Sequence, residues 1–426
     1  MREMKNSGIE WVGAIPQDWQ LSKIGSLYTQ RNEKVSDKDY QPLSVTMQGI
    51  LPQLATAAKT DDGDNRKLVR VGDFAINSRS DRRGSCGTSP LDGSVSLINI
   101  ILTPRTAMHP GYYNWLFHTT LFADEFYKWG HGIVADLWTT RWQEMKSITV
   151  PVPGYAEQER IAAFLNAECA EIDAVLEKTR ASIEEYRKLK QAVITQAVTK
   201  GVRGDRPMKN SGIEWIGDIP ESWEVSSVRY IGQLQNGISK GGEFFGKGFP
   251  FVSYGDVYKN YELPHSVSGL IDTTEDERAT YSVEYGDIFF TRTSETIEEV
   301  GFSCVCKRSI PNATFAGFII RLRPFCADEK ILTDYAKYYF RGEHIRAYLV
   351  KEMNLVTRAS LGQTLLKGMS VIVPPKSVQK EIAEYLDEKC EGIDDLIAKK
   401  QQYLTEIENY KKSLIYEYVT GKKEVV

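Results

Sequence analysis

Long apolar runs are missing from this chain of 426 residues. None approaches the ~18 residues that a helix needs to span a bilayer. The opening MREMKNSGIEW has no apolar signal-peptide core. A cytoplasmic protein without a membrane partner is therefore expected. Cysteine is sparse at six positions: Cys86, Cys169, Cys304, Cys306, Cys326 and Cys390. Their spacing fits neither a zinc site nor a disulfide scaffold, so reduced thiols are expected. Cys304 and Cys306 alternate on a strand-like stretch, which puts both on one side.

Catalytic signatures are missing too. The five histidines (His109, His118, His131, His265 and His344) have no metal-ligand spacing to nearby Cys or Asp. No Ser-His-Asp signature and no Gly-x-Gly-x-x-Gly turn stands out. Gly241 to Lys247 fits the first seven positions of a P-loop, but Gly248 follows where a magnesium-binding hydroxyl is needed. A flexible basic loop is expected there instead. Methyl transfer to a flipped base would need an Asn/Asp-Pro-Pro-aromatic loop. Pro374-Pro375 is flanked by Val373 and Lys376, so it reads as a strand end followed by a helix with Ser377 as N-cap. Neither a catalytic centre nor a metal site is expected in this chain.

The net charge of −4 argues against wholesale nucleic-acid binding. Local patches matter more than the sum. Six basic residues lie between Arg66 and Arg83 against Asp73 and Asp81. Five lie between Arg341 and Lys367 against Glu343 and Glu352.

What the chain does have is an internal repeat. MKNSGIEWVGAIPQDW (4–19) returns as MKNSGIEWIGDIPESW (208–223), identical at twelve of sixteen positions. A second repeat aligns Gln158–Thr199 on Gln379–Thr420 without gaps, at an offset of 221. Between these anchors the halves diverge, with echoes. Gly72-Asp73-Phe74-Ala75-Ile76 matches Gly286-Asp287-Ile288-Phe289-Phe290, and Leu102-Thr103-Pro104 matches Leu322-Arg323-Pro324. Lys146 to Pro151 likewise resembles Met369 to Pro374. Two similar folds with different surfaces follow, as for related modules that recognise different things.

The second repeat is helical by period. Leu165, Cys169, Ile172, Leu176, Thr179, Ile183, Tyr186, Lys190 and Val193 alternate spacings of 3 and 4, and Leu386 to Leu414 keep the same register through Ile393, Ile397 and Leu404. Even the polar interruptions coincide, Thr179 with Lys400 and Lys190 with Lys411. Each helix of ~40 residues would measure roughly 60 Å. So narrow a stripe needs a partner helix, and the other copy is the nearest. A short polar connection, Thr199 to Pro207, allows a reversal, so an antiparallel coiled coil is expected. The expected fold class is α+β: two similar globular units at 1–155 and 203–376, and helices at 156–202 and 377–426.

The duplicated Lys-Asn-Ser-Gly-Ile-Glu-Trp-φ-Gly-x-Ile-Pro-x-x-Trp resembles the start of the target-recognition domains of type I restriction-modification specificity subunits. So does Glu157-Gln158-Glu159-Arg160-Ile161-Ala162-Ala163-Phe164-Leu165 and, more loosely, Val378 to Leu386. Lys380-Glu381 departs from the usual acidic-first pattern. The resemblance spans the whole chain, including the order of variable unit and helix, twice. It implies a non-catalytic subunit whose two domains each read half of a split, asymmetric double-stranded DNA target. It further implies two modification (methyltransferase) subunits bound through the helical spacer, using S-adenosylmethionine to methylate adenine. Restriction/translocase subunits would add ATP- and Mg-dependent cleavage. The seam residues Leu165, Ile172, Leu176, Ile183, Leu386, Ile393, Ile397 and Leu404 would form the coiled coil and subunit interface. A strut of roughly 60 Å would span at most ~17 base pairs.

DNA contacts would come from Arg, Lys, Asn and Gln on loops. Asn77, Arg79, Arg82 and Arg83 follow a strand, and Arg292 follows the matching strand of the second half. Lys240 and Lys247 sit in the Gly-rich stretch. Arg358 precedes the last strand of the second unit, with Arg141 as its rough counterpart. The tryptophans Trp11, Trp19, Trp215 and Trp223 are the same in both halves, so they read as core or docking residues rather than base-stacking platforms. A two-headed protein-binding adaptor would share this architecture; a gel shift separates the two readings.

Overall fold

The computed structural model describes residues 2–53, 63–132, 138–204, 206–294, 300–353 and 359–425. Two compact units divide the chain, one of residues 1–180 with 401–426 and one of residues 181–400. Each unit thus combines a globular part with pieces of both long helices, which run from Tyr155 to Lys200 and from Lys376 to Val419. At 46 and 44 residues they exceed the expected length. Ser377 falls inside the first turn of the second helix, and the turn is opened instead by the Pro375 carbonyl, which accepts from the Val378 and Gln379 amides.

Both units hold the same central antiparallel sheet. In the first its order is Cys86–Thr88, Phe74–Asn77, Asn99–Pro104, Tyr28–Arg31. In the second it is Ser303–Val305, Ile288–Thr291, Ile319–Pro324, Gly232–Asn236. Both faces are covered, so the strands read as apolar runs rather than alternations. Phe74, Ile76, Ile100 and Leu102 face the main core, while Ala75 and Ile101 face a small second one. Ile288, Phe290, Ile320 and Leu322 repeat the first set, and Phe289 and Ile319 the second. Cys304 and Cys306 both enter that second core, as their alternation predicts, and all six cysteines are free.

The Gly-Asp echo has a physical cause. Gly72 and Gly286 have φ of +87° and +88°, a conformation that favours glycine. The aspartate that follows is buried and takes the cation of another strand of the same sheet. Asp73 accepts from Arg31 at 2.7 Å, from Thr103 and from the Arg70 amide. Asp287 accepts from Arg323 at 2.6 Å and from the Glu284 amide; burial still holds its carboxyl above the usual range.

The opening phrase makes a hairpin. Met4–Asn6 pairs with Ala14–Pro16, and Met208–Asn210 with Asp218–Pro220. Asn6 and Asn210 accept from the amides of Gly8 and Gly212. Trp11, Trp19 and Trp223 are buried and Trp215 half-buried, so the tryptophans are core. Trp19 Nε1 donates to Glu157, which also meets Arg2. Val378 occupies the matching helix position, and Trp223 Nε1 has no partner among the described residues.

The conserved glutamines explain another part of the repeat. Gln158 accepts from the His109 amide and donates to the Pro153 carbonyl, and Gln379 does the same for Leu332 and Pro374. Each pins the start of a long helix to its unit. Tyr112 and Tyr335 pin the ends, donating to the Val419 and Val198 carbonyls.

Within each unit the two helices run antiparallel. In the first, Asp173 pairs with Lys411 and Arg180 with Glu408, so one number rises as the other falls. Phe164 against Tyr418 continues the trend. In the second unit Lys190 pairs with Asp394, and the Lys400 ammonium lies over the Tyr186 ring, 5.7 Å from its centre. Leu165, Leu176, Ile183, Leu386 and Ile393 are buried, and Ile172, Ile397 and Leu404 half-buried. The lysines that break the seam are now explained. Lys190 and Lys411 lie along the stripe by their stems and reach Asp394 and Asp173, a pair the repeat produces twice.

One difference between the units predicts a pH effect. Trp11 packs on Phe122, whereas Trp215 stacks on His344 at 6.0 Å. His344 is buried and neither ring nitrogen has a partner among the described residues. Burial pushes its pKa from 6.5 down to about 3. The unfolded chain binds the proton first, so stability falls as pH drops from 6.5 toward 3, by up to about 1.4 kcal/mol per pH unit. His344→Phe is expected to flatten that slope in acid-unfolding curves; an unchanged slope would remove His344 as the cause.

Candidate nucleic-acid interface

In the first unit the Gly-Asp strand leads out of the core into a cleft of about 340 Å³. Gln30, Lys67, Ser78, Arg79, Thr139, Arg141 and Trp142 line it, with Leu97, Ile98, Ile100 and Thr140. Two turns shape it. The Asn99 amide donates to the Ser96 carbonyl, so Leu97 and Ile98 sit at the tip of one. Arg79 bridges Thr139, and the Thr140 amide donates to the Ser78 carbonyl, which closes the opposite wall.

The electrostatics favour an anion. Three cations, Lys67, Arg79 and Arg141, converge on the cleft. Among the described residues no carboxylate pairs with either guanidinium. Glu144 spends its carboxylate on the Arg141 amide, as a helix cap does. Lys67 donates to the Asn99 carbonyl, and burial lowers its pKa.

The structure brings together only some of the residues expected from sequence. Arg79 and Arg141 share the cleft. Asn77 does not; it is 6% exposed, and its side-chain oxygen accepts from the Arg79 amide. It shapes the loop from inside. Arg82 is exposed beside Asp81. Arg83 is paired with Asp124 and lies over the Tyr127 ring, so much of its charge is matched.

In the second unit the same backbone carries other side chains. The Arg292 amide donates to the Phe318 carbonyl, as Ser78 does to Ile98. The Leu361 amide donates to the Arg292 carbonyl, as Thr140 does to Ser78. Thr293 pairs with Ser360 where Arg79 bridges Thr139. Arg292 therefore matches Ser78, not Arg79. By the same register Arg141 matches Gly362, so the expected equivalence with Arg358 is corrected; Arg358 itself lies outside the described residues. Gln363 stands where Trp142 does and donates to Asn236 at 2.9 Å.

The Gly-rich stretch is not a loop. After a short turn at Gly242–Phe244 it becomes the strand Phe245–Val252, bulged between Phe245 and Phe249. Gly246 and Gly248 make the bulge with φ of +83° and +90°. Lys240 is tied to Glu277 at 2.6 Å, whereas Lys247 is exposed on the bulge. Sequence reasoning missed Lys67 and Gln30, which lie on strands far from the loop that carries Arg79. Only the sheet register brings them to it.

No group of acidic, histidine or cysteine side chains suited to a metal ion occurs among the described residues. None of their helices is long and apolar enough to cross a membrane.

Comparison with known proteins agrees with this picture. Residues 220–408 match the family described as type I restriction modification DNA specificity domain. The chain is 23% identical to the type I restriction enzyme MjaVIII specificity subunit of Methanocaldococcus jannaschii, over 96% of this chain and 94% of that one. It is 22% identical to the EcoKI specificity subunit of Escherichia coli K12, over 96% and 90%. In fold it is similar to a chain from work on the complex assembly and conformational transition of the type I R-M system. That likeness has a TM-score of 0.73 at 14% identity and covers 96% of this chain and 99% of the other.

Proposed function

We propose that the chain is a specificity subunit of a type I restriction-modification system and that each of its compact units reads one half of a bipartite, asymmetric double-stranded DNA target. It supplies DNA specificity to the complex rather than catalysis. One observation carries the reading of two different half-sites. The cleft backbone is repeated bond for bond while its side chains change: Ser78 to Arg292, Arg79 to Thr293, Ile98 to Phe318, Arg141 to Gly362 and Trp142 to Gln363. A shared frame with exchanged donors is what reading different bases requires.

Partners complete the activity. Two modification subunits would bind along the duplicated helices, bringing S-adenosylmethionine for adenine methylation. Restriction/translocase subunits would bring ATP and Mg for cleavage. The repeat supports two like partners, since Lys190–Asp394 and Lys411–Asp173 recur at the offset of 221. Arg79, Arg141, Arg82 and Arg292, with Lys67 and Lys247, are the cations offered to DNA. Binding of the assembled complex to a library of duplexes tests this reading. Selection of two fixed blocks separated by a constant unspecified gap is expected. Binding that follows salt but not sequence would overturn it.

A further inference from the structure

Phe318 is an aromatic side chain that no core among the described residues uses. It is 63% exposed and belongs to none of the hydrophobic clusters of its unit. Its backbone is held firmly. The Ile319 amide donates to the Ala316 carbonyl at 2.9 Å, closing a four-residue turn with Gly317 and Phe318 at its tip. The Phe318 carbonyl accepts from the Arg292 amide at 2.8 Å. A phenyl ring held at the tip of this turn forgoes the burial energy that a core position would give it.

The first unit shows where this turn points. Its counterpart, closed by Asn99 onto Ser96, carries Leu97 and Ile98 into the cationic cleft. Phe318 stands at the position of Ile98, one hydrogen bond away from Arg292, which links the strands Ile288–Thr291 and Thr293–Ser294. Among the described residues no carboxylate pairs with Arg292. Phe325 and Tyr230, also exposed, flank Pro324 at the other end of the same strand and take no part.

We propose that Phe318 is a specificity-determining residue of the second unit, making apolar contact with a base of its half-site beside Arg292. The proposal rests on the reading of this unit as a DNA-recognising one. Phenyl rings meet thymine methyl groups in the major groove or wedge between base steps in the minor groove, and guanidinium groups bind guanine edges. An exposed ring, joined through its backbone to an arginine that no carboxylate neutralises among the described residues, offers both kinds of contact. Thr293 and Gly362 replace the arginines of the first cleft, so the second unit has more need of a shape-reading side chain.

The test uses the assembled methyltransferase carrying Phe318→Ala or Phe318→Leu, with adenine methylation mapped across a genome. For Phe318→Ala, discrimination at one position of one half-site should fall by about tenfold, while the other half-site and the gap stay as in the parent. Phe318→Leu should retain more of it. An unchanged motif in both variants would overturn the proposal, and the parent's own motif shows separately whether the unit reads DNA. Should Phe318→Ala abolish methylation altogether, binding of the purified complex to duplexes altered in one half-site decides. Loss confined to one half-site supports the proposal; equal loss for every duplex overturns it.

Discussion

Replacing Arg79 and Arg141 together by alanine is expected to weaken the specific DNA complex by roughly a hundredfold or more, since each well-placed arginine contact is worth about 1–3 kcal/mol. Both guanidiniums line one cleft and neither is neutralised by a carboxylate among the described residues. The salt dependence should flatten by up to about one unit of slope per phosphate contact removed. Arg82→Ala with Arg83→Ala is the internal control. Arg83 is already matched by Asp124, so this pair should cost much less, about tenfold or below. Equilibrium binding of the assembled complex at several salt concentrations checks both. Equal losses from the two pairs would deny the cleft its special place.

The second large effect concerns the gap. One heptad inserted into both long helices, after Arg180 and after Lys400, falls at the boundaries of the compact units. Seven residues add about 10 Å of helix, or about three base pairs at 3.4 Å each. The seam keeps its phase, because an insertion of seven returns every apolar position to the same face. The ion pairs Asp173–Lys411 and Lys190–Asp394 stay within their own units. Methylation mapping should therefore find the same two half-sites with a gap about three base pairs longer. Altered half-sites at the old gap would contradict a strut that sets the spacing.

Much of this was legible in the sequence because repetition and period survive divergence. The seam from Leu165 to Val193 announces its helix, and its copy announces the partner. Even the misplaced-looking Lys190 and Lys411 were visible as a shared exception, although their partners were not. Ion pairs such as Lys190–Asp394 join residues 204 apart, and a sequence carries no direct mark of them. The cleft was half visible for the same reason. Arg79 stands out on a polar loop, but Lys67 and Gln30 reach it only through strand pairing.

Two placements turn on backbone rather than side-chain type. Asn77 reads as a DNA-contact candidate because it is polar and follows a strand, and its side chain caps the Arg79 amide from inside. Arg141 pairs with Arg358 by rough position in the sequence, whereas hydrogen bonding matches it with Gly362. Backbone register decides both placements. The glycine-rich stretch went the same way: Gly246 and Gly248 serve a bulge, and the strand continues through them.

The central claim is that this chain chooses the sequence its complex modifies. Genome-wide mapping of methylated adenine, with the gene present and deleted, tests it most directly. One motif of two fixed blocks around a constant gap should vanish on deletion and return on complementation. A methylation pattern that is the same with and without the chain would contradict the account.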